Sequence, residues 1–215
     1  MPGGRSSSAD VAEGEKARLY LVAPAVFDFA FPERLAPVLD GFDVACLRLA
    51  LAAGSEDEVA RACDALRPVC HARDVPLVVA DHYRLVGRLG LDGVHLSDGS
   101  RQVRAVRKAL GADAIVGAFA RTSRHEGMTA AEIGADYVAF GPVGDSGLGD
   151  GSLAEIDMFG WWSEMIEVPC VAEGALTPDL VGALAGVADF VALGEEIWRA
   201  EDAAAALRAF TERLG

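Results

Sequence analysis

The stretch PLVVADHYRLVGRLGLDGVHLSDGS, Pro76 to Ser100, holds two short apolar runs separated by a segment able to form a helix. PLVVA (76–80) and GVHL (93–96) carry apolar residues on both faces, as strands of a parallel sheet covered on both sides do. A helix is expected to start near Tyr83. Each run ends in polar residues, Asp81-His82 after the first and Ser97-Asp98 after the second. The two aspartates either face each other across a mouth and hold a metal, or cap and solvate turns.

The same alternation extends outward. Further runs are LYLVA (19–23), VACLRL (44–49), AIVGAF (114–119), DYVAFG (136–141), PCVAEG (169–174) and DFVALG (189–194). Helix-period stripes lie between them. Val59, Cys63, Leu66 and Cys70 form one, which Pro68 is expected to kink or shorten. Val103, Val106 and Leu110 form another. Thr177-Pro178 reads as an N-cap followed by proline at the first helical position, and Leu180, Leu184 and Val187 follow it. Ala203, Leu207, Phe210 and Leu214 mark a final helix. Eight βα units without a linker point to an α/β protein of the closed (β/α)8 TIM-barrel class, a single domain over residues 18–215. The competing architecture is an open doubly wound sheet. Its dinucleotide-binding form needs G-x-G-x-x-G after the first strand, where this chain has Ala23-Pro24-Ala25. Residues 1–17 are small and polar, lack the apolar core of a signal peptide, and read as a disordered lead-in.

The chain has 215 residues, of which 52% are hydrophobic, and a formal charge of −14. Such an acidic balance excludes a phosphate-backbone binder and an anionic membrane surface as partners. No apolar run approaches the roughly 20 residues of a membrane span. Cys46, Cys63, Cys70 and Cys170 show no C-x-x-C spacing and read as buried, reduced thiols of a cytoplasmic protein. The expected partner is a small molecule. Of Trp161-Trp162, one belongs to the core and the other is a candidate homodimer contact.

In a barrel the chemistry gathers at the C-terminal ends of the strands. Arg48 sits inside an apolar strand, so it must meet a carboxylate, Asp81 or Glu173, or anchor an anionic ligand. Asp81 and Asp98 are candidate Mg²⁺ ligands, since Mg²⁺ often takes one or two carboxylates plus phosphate oxygens; the other reading is helix capping or solvated turns. GPVGDSGLGDGSL (141–153) offers the amides of Gly141, Gly144 and Ser146 to a phosphate, without any Lys or Arg. His95 is a buried histidine or a ligand contact. His82 and His125 are candidates for acid–base work.

Taken together, LYLVA, DGVHL, GADYVAFGPV (134–143), PCVAEGAL (169–176) and ADFVALGEEI (188–197) resemble thiamine phosphate synthase and its relative, the thiazole tautomerase, from about Leu19 to Leu214. The resemblance implies the barrel fold and the joining of an aminopyrimidine diphosphate to a thiazole phosphate, with Mg²⁺ at the leaving diphosphate. It places Arg48 on the diphosphate, Asp81 on the metal, with Asp98, two positions before the family's second metal aspartate, as the other candidate ligand, and the Gly174 and Gly194 amides on the thiazole phosphate. Departures are visible. The family's Gln-Leu-Arg-x-Lys reads Cys46-Leu47-Arg48-Leu49-Ala50, its Asn-Asp-Arg reads Ala80-Asp81-His82, and Ser100 stands at its second metal aspartate. Acids appear at Asp145, Glu173 and Glu195. A carboxylate about 5 Å from a phosphate charge costs about 3 kcal/mol at an effective dielectric of about 20. A helix N-terminus returns only about 0.3–2 kcal/mol. Three readings follow: a transferase of weakened or altered activity, a metal-free isomerase using His82 or His125, and a non-catalytic barrel binding a neutral or cationic small molecule.

Overall fold

The computed structural model describes residues 16–145 and 151–215. In chain order the elements are β1 (Arg18–Val22), α1 (Phe31–Gly41), β2 (Val44–Leu49), α2 (Glu56–His71), β3 (Leu77–Ala80), α3 (Tyr83–Leu89), β4 (Gly93–Leu96), α4 (Val103–Leu110), β5 (Ile115–Phe119), α5 (Arg124–Glu132), β6 (Tyr137–Phe140), α6 (Ile156–Met165), β7 (Cys170–Glu173), α7 (Pro178–Leu184), β8 (Phe190–Leu193), a short α8 (Glu195–Trp198) and α9 (Ala203–Thr211). All eight strands are parallel, pair in sequence order and close into a barrel. The seam pairs Arg18 with Phe190 and Leu21 with Leu193. The Trp198 indole N–H, donating to the Val22 carbonyl at 2.6 Å, fastens it further.

The doubly apolar strands serve two cores. Leu21, Leu47, Val79, Leu96, Val138 and Leu193 face outward and pack under the helices. Tyr20, Cys46, Val78, Tyr137, Ala139, Val171 and Ala192 face inward and fill the lumen. Fully burying an aliphatic side chain contributes about 1.5–3 kcal/mol, so both faces hold the ring shut. One lumen position depends on glycine. Gly117 lies opposite Tyr137, and a Cβ there would fall 2.1 Å from the tyrosine ring.

Helix starts follow local chemistry. Ser55 and Glu58 form a reciprocal capping box on α2. The Thr177 side chain accepts from Leu180 N–H, with Pro178 in the first turn, as the Thr-Pro pair implies. Pro68 does not shorten its helix: α2 continues to His71. Cys63, Leu66 and Cys70 on either side of the proline are buried, and their packing outweighs one missing backbone bond near the helix end. The strands end within about one residue of the apolar runs. The lead-in expected over 1–17 lies outside the described residues except for Lys16 and Ala17; Ala17 N–H already bonds the Ala185 carbonyl. Among the described residues, no helix is long and apolar enough to cross a membrane.

Candidate functional site

Strand register fixes the centre of the site. Arg48 on β2 points into the lumen and is only 7% exposed. Its Nη2 lies 2.8 Å from Glu173 Oε2 on β7, so of the two acids offered by the sequence, Glu173 is the one it meets. Its Nη1 lies 2.8 Å from His95 Nε2 on β4. The guanidinium also stands over the Tyr20 ring, 5.6 Å from its centroid. Beyond His95 the chain of contacts continues: Nδ1 to the Tyr137 hydroxyl at 2.9 Å, and Tyr137 to the Tyr20 hydroxyl at 2.8 Å.

Arginine has only protons to give, so the bond from Nη1 makes His95 Nε2 an acceptor and puts the imidazole proton on Nδ1, facing Tyr137. Burial, then the Arg48 charge, hold the His95 pKa well below the ordinary histidine value; the ring is neutral. Burial disfavours the Arg48 charge, but Glu173 opposite it overrides this and raises the pKa. Burial first, with neighbouring Tyr137, raises Tyr20 well above the ordinary tyrosine value. Burial likewise pushes the Cys46 thiol up to about 12. The lumen thus holds one fixed cation, one facing carboxylate and a neutral relay. Arg48 Nε is buried without a hydrogen-bond partner.

Around this centre the strand ends bring up further groups. Asp81 follows β3 in a left-handed conformation, φ 59°. It does not cap α3, whose N-cap residue is His82. Its carboxylate reaches sideways to the next loop and accepts from Ser97 N–H at 2.8 Å and Ser97 Oγ at 2.7 Å. Asp98 accepts from Gln102 Nε2 at 2.9 Å and leaves Oδ1 buried without a partner. Asp98, Ser97, Gly99, Arg121, Ser123 and Glu126 line a cavity of about 590 Å³ between the loops after β4 and β5 and the start of α5. Glu126, from α5, accepts from both the amide and the hydroxyl of Ser100 at 2.7 Å. These two bonds hold its carboxyl below the usual range.

Mg²⁺ requires oxygen donors but not a closed protein cage; one or two carboxylates suffice when substrate phosphates supply the rest. Among the described residues, no cluster of three or more His, Cys, Asp or Glu side chains is placed to hold a metal unaided. The donor chemistry nevertheless fits. The bare Asp98 Oδ1 needs a partner, and each Asp81 oxygen, with one hydrogen bond accepted, keeps a second lone pair.

The expected phosphate donors are placed as follows. The amide of Gly141 bonds the Arg121 carbonyl and that of Gly144 the Gly174 carbonyl. These glycines fit the loop after β6 against the loop after β7: a Cβ on Gly144 would lie 1.9 Å from the Ala175 oxygen. Gly174 adopts φ 94° beside Pro142. Ser146 lies outside the described residues. The Gly194 amide donates to Glu196 Oε2 at 2.8 Å, and Glu196 Oε1 accepts from Leu176 N–H at 3.3 Å. Glu195, the acid expected at the phosphate seat, instead accepts from Ala25 N–H at 3.3 Å and Arg199 Nε at 3.1 Å.

His82 is half-buried at the start of α3 and His125 is exposed on α5; neither belongs to the buried relay. Trp162 is fully buried and donates to the Val168 carbonyl. Trp161 is half-buried under Arg124, 4.7 Å from the ring centroid. Sequence reasoning missed Tyr20, Tyr137, Glu126 and Glu196. The tyrosines carried a signal, since Gly117 in an apolar strand marks a large neighbour. The two glutamates carried none.

The chain resembles known proteins over most of its length. A family model described as thiamine monophosphate synthase matches residues 19–197. The thiamine-phosphate synthase of Rhodospirillum centenum is 43% identical over 184 residues, 84% of this chain and 89% of that protein. That of Erythrobacter litoralis is 38% identical over 204 residues, 92% of this chain and 95% of that protein. Among solved structures, thiamine phosphate pyrophosphorylase from Pyrococcus furiosus superposes with a TM-score of 0.79 at 20% identity, covering 92% of this chain and 95% of that one. The fold is shared more widely. (S)-3-O-geranylgeranylglyceryl phosphate synthase from Thermoplasma acidophilum has a TM-score of 0.69 at 15% identity, covering 93% of each chain.

Proposed function

The chain belongs to the thiamine monophosphate synthase family, and from that premise we propose that it joins a hydroxymethylpyrimidine, delivered as its diphosphate, to a thiazole phosphate. The observation that carries this reading is the near-full-length likeness to curated thiamine-phosphate synthases. In the reaction the bond from the pyrimidine methylene carbon to the diphosphate oxygen breaks. The electron pair leaves with the diphosphate, and the thiazole nitrogen forms the new C–N bond. Positive charge develops at the methylene carbon and negative charge on the leaving group, so the site must stabilise both.

Arg48 is the cation at the strand ends assigned to the diphosphate. Asp81 and Asp98 are the residues assigned to Mg²⁺, which when bound offsets the charge of the leaving group. Glu173 competes for the Arg48 guanidinium. We assign to that competition an activity weaker than a site with an unopposed arginine would give. The neutral His95, itself braced by Tyr137, holds the guanidinium in place from behind. His82 and His125 remain assigned to proton handling near the mouth. The setting we assign is the cytoplasm, where the four buried free cysteines stay reduced. The Trp161 face is assigned to a homodimer contact.

The test is direct. Purified protein receives the pyrimidine diphosphate, Mg²⁺ and the thiazole phosphate, and products are followed by mass spectrometry. Thiamine phosphate is the expected product. Absence of any such product, together with no thermal stabilisation by diphosphate plus Mg²⁺, would remove the reading.

A further inference from the structure

The mouth carries a second arginine whose situation is the reverse of Arg48's. Arg121 follows β5 in a left-handed conformation, φ 55°, which a long side chain seldom adopts. Two backbone bonds fix this turn. The Arg121 carbonyl accepts from Gly141 N–H at 3.0 Å, and Ser123 N–H donates to the Ala120 carbonyl at 3.0 Å. The side chain is not held in the same way: among the described residues, the guanidinium makes no hydrogen bond or ion pair. It lines the cavity between the loops after β4 and β5, together with Arg101, Asp98 and Glu126. Both acids are engaged elsewhere. Glu126 accepts from the amide and the hydroxyl of Ser100. Asp98 Oδ2 accepts from Gln102, and Oδ1 is buried without a partner. Two arginines and two carboxylates therefore share one cavity without forming an ion pair. Arg48, in contrast, is already answered by Glu173. A wall of this kind suits a ligand that carries both signs. A bare anion would meet the carboxylates as well as the arginines, and the two effects oppose each other. An anion that arrives with a divalent cation offers the cation to the carboxylates and its oxygens to the arginines.

We propose that Arg121, aided by Arg101, is a diphosphate-binding residue of this site: the unopposed cation that takes up charge on the leaving group, a task Arg48 shares only as far as Glu173 releases it. This rests on the transfer reaction above and deepens it. The electron pair of the broken C–O bond leaves with the diphosphate, and the guanidinium donates N–H hydrogen bonds to its oxygens. No proton moves, because arginine stays charged throughout. Asp98, whose buried Oδ1 lacks a partner on the same cavity, is the carboxylate that faces the accompanying cation.

The test titrates inorganic diphosphate, with and without Mg²⁺, into wild type, Arg121→Gln, Arg121→Lys and Arg104→Gln by calorimetry. Arg104 is an exposed residue of α4 that does not line the cavity, so its variant controls for the loss of one positive charge. Mg²⁺ is expected to tighten diphosphate binding to wild type by about tenfold or more. Arg121→Gln is expected to lose about tenfold of the affinity measured with Mg²⁺. Arg121→Lys keeps the charge without the planar fork and should fall between the two; it carries the same expectation if the glutamine variant fails to fold. Arg104→Gln should stay close to wild type. In turnover, Arg121→Gln should lower kcat/KM for the pyrimidine diphosphate by about the same factor and leave KM for the thiazole phosphate unchanged. Equal losses in Arg121→Gln and Arg104→Gln overturn the proposal, since the effect would then be diffuse charge. So does diphosphate binding that ignores the Arg121 substitutions. The readouts separate the two levels. If the binding ranking holds and no thiamine phosphate forms, the transfer reading fails and the role of Arg121 stands. If Arg121→Gln makes thiamine phosphate with wild-type kcat/KM, the role of Arg121 fails and the transfer reading stands.

Discussion

Arg48 shows how much one side chain can decide in a closed barrel. Its guanidinium is held between Glu173 and His95 with almost no access to water, so its charge is tolerable only while Glu173 is ionised. Breaking a buried pair by removing one partner typically costs about 3–5 kcal/mol. Glu173→Gln is therefore expected to lose about 3 kcal/mol in urea denaturation, and to recover more of it on adding inorganic diphosphate than wild type gains; an equal gain in both proteins would show that Glu173 does not compete for Arg48. His95 makes a pH prediction. Its folded pKa is depressed, so below about 6.5 the unfolded chain binds a proton that the folded chain refuses. Stability then falls as pH falls, by about 1.4 kcal/mol between pH 7.5 and 5.5 from this one group. Denaturation at the two pH values should show that increment in wild type and its absence in His95→Gln. At this scale the sequence was half legible. It showed that Arg48 needs an anion and offered two acids. Which acid depends on the stagger of strands across the lumen, and no local pattern reports that.

Elements were easier to read than turns. Strands surrounded by apolar neighbours on both sides announce themselves as continuous apolar runs, and the Thr177-Pro178 start needs only local chemistry. Turns hide their side-chain directions. Asp81, in a left-handed conformation, swings to Ser97 instead of capping α3. Glu195 and Glu196 are adjacent, yet only Glu196 takes the Leu176 and Gly194 amides; a single residue of rotation separates the two outcomes. The match between β5 and β6 yields a further prediction. Because a Cβ on Gly117 would sit 2.1 Å from the Tyr137 ring, Gly117→Ala must push the tyrosine off His95 and Tyr20. Overpacking of this kind costs about 1–3 kcal/mol. Tyr137→Val, which removes the ring, should recover part of that loss in the double variant. Full additivity of the two substitutions in denaturation would refute the contact.

At the scale of the whole molecule, the net charge of −14 acts against compactness, since like charges crowd as the barrel closes. Screening should relieve this. The thermal midpoint is expected to rise as NaCl goes from about 0.01 M to about 0.3 M, where the Debye length shrinks from about 30 Å to under 10 Å. A midpoint that falls with salt would mean that the surface ion pairs, such as Arg73 with Asp40, outweigh the repulsion. The closed seam has a consequence of a different kind. The indole of Trp198 reaches a carbonyl 176 residues earlier in the chain, and the ring closes only when β8, just before it, pairs with β1. A chain emerging from the ribosome must carry β1 as an open edge throughout nearly all of its synthesis, ready to pair with any stray strand. Ring closure is consequently a late event of high contact order, and the yield of native protein from cells should track how well that waiting edge is shielded.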